Sequence, residues 1–91
     1  MKKFNDYIFN NDIAIRKTNE EVVMAFNKIT GTLYEFNNTG GEILYLLKEG
    51  KIYDEVMDIL CSNYSVEKKE IVDDVDDIFE RLLDLKILIN Q

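Results

Sequence analysis

The sequence contains no histidine, no tryptophan, no proline and a single cysteine. The lack of histidine removes the commonest metal ligand, every Ser–His or Cys–His nucleophile pair and the usual general base near neutral pH. Lone Cys61 excludes an intrachain disulfide framework and any CxxC pair, and it accords with a reducing compartment. No apolar run approaches the roughly 18 residues that a membrane span needs. Lys2 and Lys3 precede Phe4, but Asn5 and Asp6 follow at once, so no secretory apolar core forms there. The expected location is the cytoplasm.

What is present fits one small domain spanning residues 1–91, with a core expected over about 12–89. A domain of this size buries only roughly 60–65% of its extended-chain surface, which leaves no room for a deep substrate cavity. Hydrophobic residues make up 46% and charged residues 32%, an ordinary globular balance that argues against disorder. Eleven basic residues face eighteen acidic ones, a formal charge of −7. Such a chain repels phosphate backbones and anionic lipid, so neither nucleic acid nor a membrane is an expected partner. The composition suits a small acidic recognition module better than an enzyme.

The first half is strand-like. Ile13-Ala14-Ile15-Arg16-Lys17 places Ile13 and Ile15 on one face. A polar turn, Thr18-Asn19-Glu20-Glu21, leads to a second strand, Val22-Val23-Met24-Ala25-Phe26. After a loop ending at Gly31, Thr32-Leu33-Tyr34-Glu35-Phe36 forms the third, with Tyr34 and Phe36 on one face and Leu33 and Glu35 on the other. Helical spacing then takes over. Asn37, Asn38 and Thr39 are N-cap candidates, Thr39 with Glu42 has capping-box spacing, and Gly50 is the natural stop. A second helix is expected from Tyr53 to Cys61, broken by Ser62-Asn63-Tyr64-Ser65. The third runs from Glu67 to Leu85, with Ser65 able to cap it. Ile71, Val75, Ile78, Phe79 and Leu82 form its apolar stripe. Ile87, Leu88 and Ile89 make a short apolar tail. The order βββααα predicts an α+β domain, a three-stranded antiparallel sheet followed by three helices on one of its faces, an order that a winged-helix-like arrangement would also fit.

Nothing in this chain predicts catalysis, a metal or a cofactor. Asp73, Asp76, Asp77, Glu80 and Asp84 gather opposite the apolar stripe. A helix lacks the glycine bend of a calcium loop, so a solvated acidic face is the plain reading. Cys61 reads as a small hydrophobe on an amphipathic helix. Gly40 and Gly41 do not form a phosphate loop; close approach to a strand or to the second helix explains two glycines in a first helical turn. A winged-helix shape invites a DNA reading. The third helix, however, sets Asp73, Asp74, Asp76, Asp77, Glu80 and Asp84 against only Arg81 and Lys86, the wrong sign for that role. The third strand remains. As the outer strand of a meander it offers unpaired main-chain groups to which an extended peptide could add.

One stretch carries a resemblance. Thr30-Gly31-Thr32-Leu33-Tyr34-Glu35-Phe36-Asn37-Asn38-Thr39-Gly40-Gly41-Glu42-Ile43 resembles the "TGxxYxLNxTGxxI" run of the PqqD-like family. These are the leader-peptide recognition domains of pathways that modify ribosomally made peptides. Ile13-Ala14-Ile15-Arg16, Val22 to Phe26, and Asp74-Val75-Asp76-Asp77-Ile78-Phe79-Glu80-Arg81-Leu82 match further parts of the pattern. Phe36 stands where leucine is usual, and Lys86 where a glycine commonly ends the last helix. The resemblance suggests a stand-alone member, with no enzyme domain attached.

The resemblance implies that the leader of a precursor peptide docks as an added strand between the third strand and the third helix, and is presented to a modifying enzyme. That enzyme could be a radical SAM enzyme, a leader peptidase or a cyclase. The implied peptide-binding residues are Thr32, Leu33, Tyr34, Glu35 and Phe36 on the strand, and Asp74, Ile78, Arg81, Leu82 and Leu85 on the helix. Main-chain groups of Leu33, Tyr34 and Glu35 would pair with the leader. Of the two helix margins, Asp74–Ile78–Arg81–Leu85 is favoured over Val72–Asp76–Leu83, because Asp74 belongs to the family pattern and can act with Arg81 on charged leader positions. The alternatives are a winged-helix regulator and a small dimerising structural subunit.

Overall fold

The computed structural model describes residues 4–19 and 21–90. The chain runs β1 (Tyr7–Phe9), β2 (Ile13–Lys17), β3 (Val22–Asn27), β4 (Leu33–Asn37), α1 (Asn38–Lys48), α2 (Tyr53–Tyr64), α3 (Lys68–Asp84) and β5 (Leu88–Asn90). The central order is the expected βββααα. Strands β2, β3 and β4 form a three-stranded antiparallel sheet in that spatial order, and three helices follow it. The turn expected at Thr18-Asn19-Glu20-Glu21 includes Glu20, which lies outside the described residues.

Two short strands were not expected. β1 pairs antiparallel with β5, Ile8 opposite Ile89. The Asn10 N–H donates to Ile87 O at 2.9 Å, and the Asn10 side chain donates to Lys86 O at 3.0 Å. Three residues are too few to show a period, and a pairing between chain ends leaves no local signal. The core also starts earlier than Asp12, since Phe4 and Phe9 are both buried. The Phe4 ring sits 5.2 Å from Tyr53 and 5.3 Å from Phe79, an aromatic cluster that ties the start of the chain to α2 and α3.

The sheet has one covered face. Ile13, Val23, Ala25 and Phe36 are buried beneath the helices. Helix α1 lies close on β3: a Cβ added at Gly41 would stand 2.2 Å from Val23 Cγ2, inside any real contact. Gly41 is therefore required by close approach, as the sequence suggested. Beyond it, Ile43, Leu44, Val56, Leu60, Phe79 and Leu82 complete the core at 0–1% exposure.

The helix ends differ from expectation in instructive ways. Asn37 caps α1, its Oδ1 accepting from Gly40 N at 2.9 Å, in place of a Thr39–Glu42 capping box. Glu42 instead accepts from Asn63 Nδ2 and the Tyr64 hydroxyl, so a tertiary contact outcompetes the local one. Gly50 does close α1: at φ +98° it donates to Leu47 O while Lys51 donates to Leu46 O. α2 runs through Ser62-Asn63-Tyr64 and stops at Ser65, which adopts φ 55°. Ser65 thus ends α2 and does not cap α3. Glu67 takes the α3 cap position, its N–H donating to Glu70 Oε2 at 2.9 Å.

Candidate functional site

A strand at the edge of a sheet exposes every second residue's main chain, and the phase of that alternation decides which groups are free. Here the Asn27 N–H donates to Thr32 O at 2.9 Å, and residues 27 and 32 continue the β3–β4 register. The paired partners along β4 are then Tyr34, opposite Ala25, and Phe36, opposite Val23. The β2–β3 ladder agrees. Thr18 N–H donates to Val22 O and Lys28 N–H to Asp12 O, which directs the even-numbered β3 residues toward β2 and the odd-numbered ones toward β4. The N–H and C=O of Leu33 and Glu35 consequently point away from the sheet. Among the described residues no strand pairs with that side of β4.

This corrects one expectation. The main chain of Tyr34 is already paired with β3, so it has no groups to offer another strand. Thr32 also differs, since it precedes β4 and its carbonyl closes the loop by accepting from Asn27.

α3 lies beside this edge. The Arg81 guanidinium carbon stands 4.5 Å from the centre of the Phe36 ring, and Nη2 donates to Glu35 O at 3.5 Å. That long bond lands on one of the outward-pointing carbonyls. It identifies the margin facing β4 as the one that carries Arg81. One and two turns back along this margin, Ile78 and Asp74 line a cavity of about 200 Å³ together with Thr39, Leu60, Tyr64, Ile71 and Val75. The cavity is mostly aliphatic, with Asp74 and the Thr39 and Tyr64 hydroxyls as its polar groups. The Tyr64 hydroxyl donates to Glu42 Oε1 at 2.7 Å, and that bond, with some burial, pushes its pKa up.

The opposite margin of α3 is engaged internally. Asp76 accepts a hydrogen bond from the Tyr53 hydroxyl. Burial raises the Tyr53 pKa, and the carboxylate beside it raises it further. Leu83 lies with Tyr7 and Leu88 around a second cavity against the β1–β5 pair.

The ten residues implied by the resemblance thus divide. Leu33, Glu35, Asp74 and Arg81 are exposed, and Tyr34, Ile78 and Leu85 are half-buried. Phe36 is 4% exposed, beneath Arg81. Leu82 is fully buried, so it belongs to the core and not to a groove surface. The sequence reading missed Thr39, Leu60, Tyr64 and Ile71 around the cavity. Tyr64 is the available signal: an aromatic residue inside the polar stretch Ser62-Asn63-Tyr64-Ser65, which reads as a break.

Among the described residues no group of three or more His, Cys, Asp or Glu side chains is placed to hold a metal, and no helix is long and apolar enough to cross a membrane. Asp73, Asp77, Glu80 and Asp84 are exposed.

Comparison with known proteins gives a consistent result. The family described as coenzyme PQQ synthesis protein D (PqqD) matches residues 20–88. No curated protein matches the chain. Among solved structures, TbiB1 in complex with the TbiA(beta) leader peptide superposes with a TM-score of 0.78 at 27% identity, covering 89% of this chain and 93% of that one. Lasso peptide synthetase B1 complexed with the leader peptide gives 0.74 at 19% identity, covering 92% and 98%, and shares the fold.

Proposed function

The chain belongs to the PqqD family, and from that membership we propose that it binds the leader segment of a ribosomally made precursor peptide and presents it to a modifying or processing enzyme. The observation that carries this reading is the bare edge of β4. The outward-pointing carbonyl of Glu35 meets Arg81 on α3, and the same helix margin continues through Ile78 and Asp74 into the cavity that they line. A solved relative at 27% identity is itself a leader-peptide complex, which supports the same use here.

The mechanism is strand addition. The leader pairs with Leu33 and Glu35, and it displaces Arg81 from the Glu35 carbonyl. Arg81 stays over Phe36, where it can meet a leader carboxylate. Leader side chains opposite Tyr34 and Phe36 face α3, because directly opposed residues share a sheet face. An aliphatic or aromatic leader side chain then fills the cavity beside Ile78. Main-chain pairing tolerates sequence; the cavity and the Asp74 and Arg81 charges supply the selection. The protein makes and breaks no bond. It raises the effective concentration of its cargo at the enzyme, be that a radical SAM enzyme, a leader peptidase or a cyclase.

Calorimetric titration with the synthetic leader of the precursor encoded beside this gene is the direct test, followed by amide shift mapping. Micromolar or tighter affinity is expected, with shifts at Leu33, Glu35 and residues 74–85. Proline at the edge separates main-chain pairing from folding. Glu35→Pro removes an outward N–H and lowers affinity on the order of tenfold or more with the fold kept. Tyr34→Pro removes a ladder bond to Ala25 and unfolds the sheet. Absent binding, or shifts confined to β2 and α1, overturns the reading.

A further inference from the structure

Among the described residues no helix covers the outer face of the sheet, and its side chains fall into registered cross-strand rows. Ala14, Phe26 and Leu33 make one row; Arg16, Met24 and Glu35 make the next. Phe26 is 38% exposed and Leu33 59%, and a shallow apolar cavity opens between these rows. Beside them, on the loop joining β3 to β4, Ile29 is 74% exposed. Single exposed apolar residues are ordinary, but a contiguous registered patch asks for a cover.

Charge is distributed to match. Residues 1–36, which supply the sheet, carry five basic and five acidic side chains. Residues 37–91 carry six basic and thirteen acidic ones, so the whole excess of seven lies in the helical half. Within the two rows of the outer face, Arg16 and Glu35 are one charge of each sign.

We propose that this face receives the same face of a second copy, in a reversible two-fold dimer. The argument is self-complementarity, which an isologous interface requires. A two-fold axis along β3 lays β2 of each copy over β4 of the other. Each Arg16 then faces a Glu35 carboxylate, and each small Ala14 faces a large Leu33. Met24 meets Met24 and Phe26 meets Phe26 across the axis. The acidic helical halves point outward and stay apart. Sheets packed face to face cross at about 30°, which this arrangement accommodates. The patch is small: three strands at about 4.8 Å and five residues at about 3.4 Å. It falls short of the roughly 1,200 Å² typical of stable complexes, so association is weak. The outward main-chain groups of β4 lie in the plane of the sheet, and dimer formation leaves them open.

Sedimentation equilibrium from micromolar to millimolar protein tests this without any peptide. The mass is expected to rise with concentration from the 10.7 kDa chain toward twice that value. Phe26→Ser and Leu33→Ser each keep the chain monomeric throughout. Arg16→Glu and Glu35→Arg each weaken association on the order of tenfold, and the double reversal restores it. A chain that stays monomeric at millimolar concentration overturns the proposal. So does association indifferent to Phe26→Ser, or a double reversal that fails to restore it. If Phe26→Ser abolishes enzymatic processing of the precursor while the native chain is monomeric, the face belongs to the enzyme and the dimer is refuted.

Discussion

The two margins of α3 have similar composition and opposite fates. One carries Val72, Asp76 and Leu83; the other carries Asp74, Ile78, Arg81 and Leu85. Each offers aliphatic side chains and at least one carboxylate. On the first, Asp76 holds the Tyr53 hydroxyl and Leu83 meets the β1–β5 pair. On the second, Asp74 and Ile78 line an open cavity, and Arg81 makes a ring contact and a long bond to a strand edge. Side-chain type does not distinguish the two margins. The neighbours do: on one margin Asp76 is tied to Tyr53 and Leu83 faces the β1–β5 pair, whereas on the other Arg81 reaches the unpaired side of β4.

Substitutions on the two margins are therefore expected to separate affinity from stability. The largest effect is expected at Ile78→Ser on the open margin. Losing half-buried aliphatic surface at the cavity lowers leader affinity on the order of tenfold, about 1.4 kcal/mol. Calorimetry reads the affinity and a denaturant titration reads the fold, whose midpoint shifts less. Equal affinity in a folded variant would place the leader elsewhere.

The mirror experiment is Tyr53→Phe on the closed margin. It removes the bond to Asp76 and leaves the aromatic cluster with Phe4 and Phe79 intact. Stability is expected to fall by about 1 kcal/mol near neutral pH, with leader affinity unchanged. A pH signature accompanies it. The Tyr53 pKa is raised in the folded state above its ordinary 10.0, so the unfolded chain loses this proton first. The stabilisation is complete below pH 10 or so and declines as pH rises beyond it. Denaturation midpoints measured upward from pH 9 or thereabouts fall more steeply for the native chain than for Tyr53→Phe. Parallel slopes would remove Tyr53 from the account.

Much of this was readable in the residues, and the misses share a cause. Three strands, three helices and the tight packing of Gly41 follow from period, turn chemistry and small-residue placement. Local rules failed wherever a distant partner set the outcome. Thr39 and Glu42 have capping-box spacing, yet Glu42 reaches α2. Ser62-Asn63-Tyr64 reads as a break, yet two of its side chains bond to α1 and the helix continues through it. β1 is three residues long and exists through its pairing with β5. The site shows the same limit. Sequence marks β4 as an edge, but only register shows that Leu33 and Glu35 face outward while Tyr34 does not.

The smallest expected effect concerns the end of α3, where the open margin finishes beside Leu85. Lys86 adopts φ 64° and donates to Leu83 O, while Ile87 donates to Leu82 O. This is the same closing geometry that Gly50 gives α1, built with a residue that has a Cβ. A left-handed non-glycine residue costs roughly 1–2 kcal/mol, and glycine's extra freedom in the unfolded chain returns roughly half of that. Lys86→Gly is therefore expected to stabilise by about 0.5–1 kcal/mol in denaturant titration. The Lys86 carbonyl still accepts from Asn10 in the variant, because that bond is to main chain. Leader affinity should hold as well, since Lys86 lies past the last residue of the proposed margin. Destabilisation would mean that the Lys86 side chain contributes more than its backbone strain removes.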